Sequence, residues 1–212
     1  MARKTKEDAL ETRSQLLDAA EKVFFEKGFG QTALMDIAKA ANLTRGAIYW
    51  HFKNKSELFE AMADRVRLPL ENLTDTCADI QEPDPLGKLR DFWIQVLKET
   101  TRNPKRRRVL SILFFKCEMN REAKQLEIRR QAASIEYLQD IEQCLQNAID
   151  RGQLPTDLHT HQAAVANHAL MTGLIGNWLF LPGSFDLDAY AETMIDSYLF
   201  TLKNNIDLRR KP

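Results

Sequence analysis

From Thr44 to Lys55 the chain reads Thr-Arg-Gly-Ala-Ile-Tyr-Trp-His-Phe-Lys-Asn-Lys, a run that crowds hydrogen-bond donors and flat rings onto one short stretch. Arg45 carries a fork of N–H donors that matches a guanine edge, a bidentate contact worth about 1–3 kcal/mol of discrimination. Gly46 beside it has no side chain, so the backbone there can approach a partner closely. Tyr49, Trp50 and His51 each join a flat face to one polar tip. That combination suits phosphate hydrogen bonds and packing on sugars or thymine methyls. Thr32 and Thr44 stand where two helices should begin, where a hydroxyl caps an orphan N–H and a phosphate can be held. Lys55 falls in the first turn of the next helix, where a cation opposes the helix dipole; a phosphate nearby would offset that cost. Arg3, Lys4 and Lys6 form a basic arm of the kind that enters a minor groove. The chemistry expected is recognition of duplex DNA.

The elements that position these groups follow from spacing. Leu34, Ile37, Ala38 and Ala41 recur at intervals of three and four after Thr32, which predicts a helix, and Asn42-Leu43 breaks it. The second helix starts at Thr44 and turns Ala47, Ile48 and Phe52 inward. A helix from Glu7 to Lys27 precedes the pair, with Leu10, Leu16, Leu17, Ala20 and Phe24 on its apolar face and Gly28 as its stop. Asn54, with Glu57 three residues on, caps a connecting helix over 54–70, whose Leu58, Phe59, Met62, Val66 and Leu70 form an apolar face. Pro69 should kink or end it. Further helices are expected at about 85–101, 104–118, 121–151, 160–181 and 187–203. The few Gly and Pro residues lie between periodic segments, and no stretch alternates with period two. The fold class is therefore all-α, about nine helices. A three-helix helix-turn-helix head spans 1–55 and a helical body spans 56–212.

Composition narrows the function. The chain of 212 residues balances 30 basic against 30 acidic side chains. Residues 1–55 hold ten Lys/Arg and seven Asp/Glu, so the head carries +3 and the remainder −3. A modestly basic end on an acidic body fits a protein that touches DNA at one end. Three cysteines, Cys77, Cys117 and Cys144, with no Cys-x-x-Cys, point to reduced thiols rather than a disulfide framework. There is no apolar run of membrane-spanning length and no leader pattern, so a cytoplasmic location is expected. No phosphate-binding loop and no nucleophile elbow occur, which argues against an enzyme, a catalytic residue or a cofactor. Gly28-Phe29-Gly30 reads as a turn. His159-x-His161 has no supporting ligand cluster, so no metal is expected.

The run Thr44 to Lys55 closely resembles the TetR family of bacterial repressors, in particular its AcrR-like multidrug-efflux branch. Met1 to Lys6, Glu11 to Arg13, Ile112 to Glu118, Arg151 to Pro155 and Gly173 to Leu179 resemble the same branch. The resemblance implies that Thr32, Thr44, Arg45, Gly46, Tyr49, Trp50, His51 and Lys55 contact an operator, and that the protein is a homodimer. The last two long helices are the expected seam, through Ala163, Ala164, Ala166, Ala169, Leu170, Leu174, Trp178 and Leu181, then Tyr190, Met194, Ile195, Tyr198, Leu199 and Leu202. It also implies a body pocket for a lipophilic inducer. Apolar faces converge there through Val66, Leu70, Leu89, Phe92, Trp93, Val96, Leu110, Leu113, Phe114, Cys117, Tyr137, Ile141, Met171 and Ile175. Arg67, Asn167, His168 and Thr172 supply polar groups that suit an amphiphile better than a dry core. Related repressors often place a carboxylate or histidine where this chain has Arg67, so an anionic or neutral phenolic inducer stands beside a cation. The competing functions are a helical protein-interaction module and a ligand-dependent activator on the same fold.

Overall fold

The computed structural model describes residues 6–117 and 124–210, with the side chains of 67–78 and 125 outside that description. Among the described residues the chain forms nine α-helices: α1 (Lys6–Lys27), α2 (Leu34–Ala40), α3 (Arg45–His51), α4 (Lys55–Ala78), α5 (Pro85–Arg102), α6 (Pro104–Phe115), α7 (Lys124–Asp150), α8 (Thr160–Phe180) and α9 (Leu187–Asn204). A short 3-10 turn, Ile206–Leu208, and an isolated antiparallel bridge between Leu158 and Arg209 follow. Periodicity anticipated neither. No described helix is long and apolar enough to cross a membrane. The all-helical class stands. The connecting helix differs: α4 runs past Pro69 to Ala78, so the proline does not end it.

The helices group into two compact units. The first comprises residues 1–67 and 105–130. Its core is aromatic: the rings of Phe24, Phe29 and Phe59 meet at centroid distances of 5.2–5.8 Å, one pair stacked and two edge-on. Leu16, Ile37, Ile48, Leu58 and Met62 complete it. Leu10, expected on the apolar face of α1, is exposed. Two turns set the register. Gly28 ends α1 at φ +78°, a conformation that favours glycine, and the next residue, Phe29, donates its N–H to the Lys116 carbonyl. Asn42 ends α2 in the left-handed region at φ 55°. Its N–H bonds to Lys39 O, and Leu43 N–H reaches back to Ala38 O at 2.8 Å. This paired closure satisfies the orphan carbonyls and swings the chain directly into α3. α6 belongs to this unit: Lys116 donates from Nζ to the Phe25 carbonyl, and Arg108 pairs with the buried Glu21.

The second unit comprises residues 68–104 and 131–212. α5 and α9 run along one another, tied by three ion pairs. Arg90 grips Asp196 through two nitrogens (2.5 and 2.9 Å), Lys98 meets Glu192 at 2.5 Å, and Arg102 grips Asp188 at 2.7 and 2.9 Å. Beneath them lie Leu89, Trp93, Leu97, Ile195, Leu199 and Leu202. Cys144 is wholly buried and disulfide-bonded. The expectation of three reduced thiols therefore fails there: which sulfurs meet is a matter of tertiary distance that spacing does not reveal. Cys117 is free and half-buried, and burial pushes its thiol up from the ordinary value.

Candidate DNA interface

α3 has seven residues, of which only Ile48 is buried. The N-cap is Thr44, whose Oγ1 accepts the Ala47 N–H at 3.2 Å. Arg45, Gly46, Tyr49 and Trp50 all face outward, Trp50 at 72% exposure. The Arg45 guanidinium lies 5.5 Å over the Tyr49 ring, and the half-buried His51 meets Trp50 edge-on at 4.5 Å. An exposed tryptophan on a helix this short is informative, because burial would have stabilised the chain had Trp50 been an anchor. A Cβ built on Gly46 would find nothing nearer than Thr44 Oγ1 at 3.8 Å. The fold itself thus makes no demand for glycine, and the clearance faces outward. Phe52 closes α3 from inside, wholly buried, with Arg13 stacked 5.2 Å over its ring.

Two predicted contacts are placed differently. Thr32 is 3% exposed, and its hydroxyl donates to the Gly28 carbonyl at 2.7 Å. The N-cap of α2 is Ala33, served by the Asp36 carboxylate, which accepts the Ala33 N–H at 3.0 Å. That hydrogen bond is the first cause holding Asp36 below the usual carboxylate range. Lys55 is likewise buried. Its ammonium donates to the Phe29 carbonyl at 2.9 Å and sits 4.4 Å over the Phe29 ring. Both side chains are turned into the head's interior, where each bonds a backbone carbonyl at or just after the end of α1. Asp36 was the missed residue, an acid three positions after the cap in the arrangement that marks a helix start. Lys6 is exposed, and Arg3 and Lys4 lie outside the described residues.

The residues expected to line a ligand pocket divide between the units. In the first, Val66, Leu113 and Cys117 pack against the aromatic core, Leu110 is half-buried and Phe114 is exposed. In the second, Leu89, Phe92, Trp93, Val96, Ile141, Asn167, Met171 and Ile175 are buried, while Tyr137, His168 and Thr172 are partly so. The side chains of Arg67 and Leu70 lie outside the description. The expected dimer residues also split into two faces. Ala163, Ala164, Ile195, Tyr198, Leu199 and Leu202 are buried within the chain, which corrects their assignment to the seam. Ala166, Ala169, Leu181, Tyr190 and Met194 are exposed, and Leu170, Leu174 and Trp178 are half-buried. His159 caps α8 and His161 meets Glu142, so each already has a local role.

A helix-turn-helix whose second helix turns donors and rings outward, within described residues that form nine helices, is the architecture of a DNA-binding regulator. Comparison with known proteins gives the class its family. Residues 16–62 match the model of the tetR family of bacterial regulatory proteins, and residues 84–204 match the C-terminal region of MAATS-type transcriptional repressors. The probable HTH-type transcriptional regulator ArpR of Pseudomonas putida is 42% identical over 99% of this chain and 100% of its own. The HTH-type transcriptional regulator TtgR, also of Pseudomonas putida, is 41% identical over the same shares. A crystal structure of NalD, described as the secondary repressor of the MexAB-OprM multidrug efflux pump in Pseudomonas aeruginosa, is similar at a TM-score of 0.84. It is 38% identical and matches over 94% of this chain and 100% of that one. The chain belongs to the TetR family.

Proposed function

We propose that this protein represses transcription of a multidrug efflux pump operon from a palindromic operator, and that a lipophilic small molecule releases it. The observation that carries the reading is the outward face of α3, where Thr44, Arg45, Gly46, Tyr49 and Trp50 stand clear of the core. The role of the NalD relative as a repressor of a multidrug efflux pump supports the efflux target. In this reading residues 1–55 are the DNA-binding head, 56–212 the ligand-binding and dimerisation body, and the site of action is the bacterial cytoplasm. One head spans only a few base pairs, so a palindrome calls for two, related by a two-fold axis. The exposed apolar side chains of α8 and α9, including Val165, Phe180, Tyr190, Met194 and Phe200, supply the self-complementary seam. Ligand acts by binding more tightly to a body conformation whose heads no longer match successive major grooves, with α4 as the element that moves; only such differential affinity can shift the equilibrium.

The test is titration of the purified protein onto its own promoter region, with footprinting and with salt varied. Affinity should fall linearly in log–log form as salt rises, in proportion to the phosphates neutralised. A panel of lipophilic drugs should include compounds that weaken binding. A monomeric protein that leaves that region unprotected would overturn the DNA half. Binding that no drug in the panel weakens would overturn the sensor half alone.

A further inference from the structure

The second unit contains a polar cluster inside an apolar interior. Trp93 of α5 and Asn167 of α8 are both wholly buried. The Tyr137 hydroxyl donates to Asn167 Oδ1 at 2.8 Å, and the Tyr198 hydroxyl donates to the Ala163 carbonyl at 2.6 Å. The Trp93 and Tyr198 rings meet edge-on at 5.5 Å, and the Tyr137 ring lies 5.7 Å from that of His168. These contacts use the amide oxygen of Asn167 and both phenol protons. Burial pushes both phenols well above their ordinary range, so neither supplies a negative charge. Two groups remain without a hydrogen bond: the Asn167 Nδ2 amide and the Trp93 indole Nε1–H. The indole lies close enough to the Tyr137 hydroxyl to favour its ionised form, an effect smaller than that of burial, without meeting the geometry of a hydrogen bond.

Both orphans are donors. Buried donors without partners are rare because their lost hydration is not replaced. What the cluster lacks is an acceptor, and nothing in Trp93, Tyr137, Asn167, His168 or Tyr198 offers a carboxylate to a cation. We infer that Trp93 and Asn167 form a donor pair that selects lipophilic ligands carrying a carbonyl or ether oxygen, and discriminates against cations. This rests on the reading that the body binds a small molecule, and it names that molecule's chemistry. A site built around unmet donors rejects an isostere that lacks the acceptor far more strongly than an apolar wall would.

Three probes of one shape test it by calorimetric titration of the full chain: benzophenone, diphenylmethane and benzhydrylamine. Benzophenone should bind at least about tenfold more tightly than diphenylmethane, and the amine no more tightly than the hydrocarbon. Asn167→Leu, and independently Trp93→Phe, should bring the ketone-to-hydrocarbon ratio to within about threefold. The wild-type ratio decides the question even if a variant fails to fold. Equal binding of ketone and hydrocarbon would mean that trapped water serves the donors, overturning the inference and sparing the sensor reading. The inference alone would also fall if no probe bound while drugs still released the operator. If neither probes nor drugs had any effect, the sensor reading would fall with it.

Discussion

The head and the second unit depart from ordinary packing in opposite senses. On α3 of the head, large rings are left outside; among α5, α7 and α8 of the second unit, polar atoms are left inside. Two tryptophans mark the contrast: Trp50 is 72% exposed and Trp93 is not exposed at all. Each departure costs stability unless something outside the chain completes it. What would complete each follows from its sign. Rings and donors on a short outward helix suit a charged, grooved polymer; unmet donors in an apolar interior suit a small lipophilic acceptor.

The contrast is sharpest if the same residue type is removed at both places. Trp93→Ala should lower unfolding free energy by about 3–5 kcal/mol, read from urea midpoints, because a packed ring leaves a cavity. Trp50→Ala should change stability by less than about 0.5 kcal/mol while weakening operator binding. Equal losses of stability at the two sites would erase the distinction. Arg45→Ala tests the outward face more directly: about 1–3 kcal/mol of operator affinity should go, with thermal unfolding unmoved. Unchanged affinity would mean that another helix reads the DNA.

A smaller effect concerns the α5–α9 seam, which the head does not share. Hydrogen bonds from Arg102, Lys98 and Arg90 are the first causes holding Asp188, Glu192 and Asp196, respectively, below the usual carboxylate range. Depressed folded-state pKa values contribute stability that is present above the unfolded-state pKa and lost as pH falls through the folded one. Melting temperature should therefore decline as pH drops below the ordinary carboxylate range. Combining Asp188→Asn, Glu192→Gln and Asp196→Asn should flatten part of that decline. Exposed pairs are individually weak and salt-screened, so an unchanged acid profile in the triple variant would assign the decline to other carboxylates.

Local chemistry made much of this protein legible in its residues. The start of α5 at Pro85, the N-cap at Thr44, the stop at Gly28 and the break at Asn42 all rest on interactions within a few positions, and the 3.6-residue period does the rest. The outward face of α3 was readable for the same reason: three adjacent rings cannot share one inward face of a helix turn. Tertiary structure alone decided the fates of Thr32 and Lys55, since a lysine that bonds a carbonyl 26 positions away looks, locally, like any surface charge. It also decided which faces of α8 and α9 are spent within the chain, that α6 packs with the head, and that Trp93 on α5 and Asn167 on α8 are each buried with a donor left unpaired. Caps and periods act through the backbone over one or two turns; partner choice in a core depends on distances between segments far apart in the chain, which no local pattern encodes.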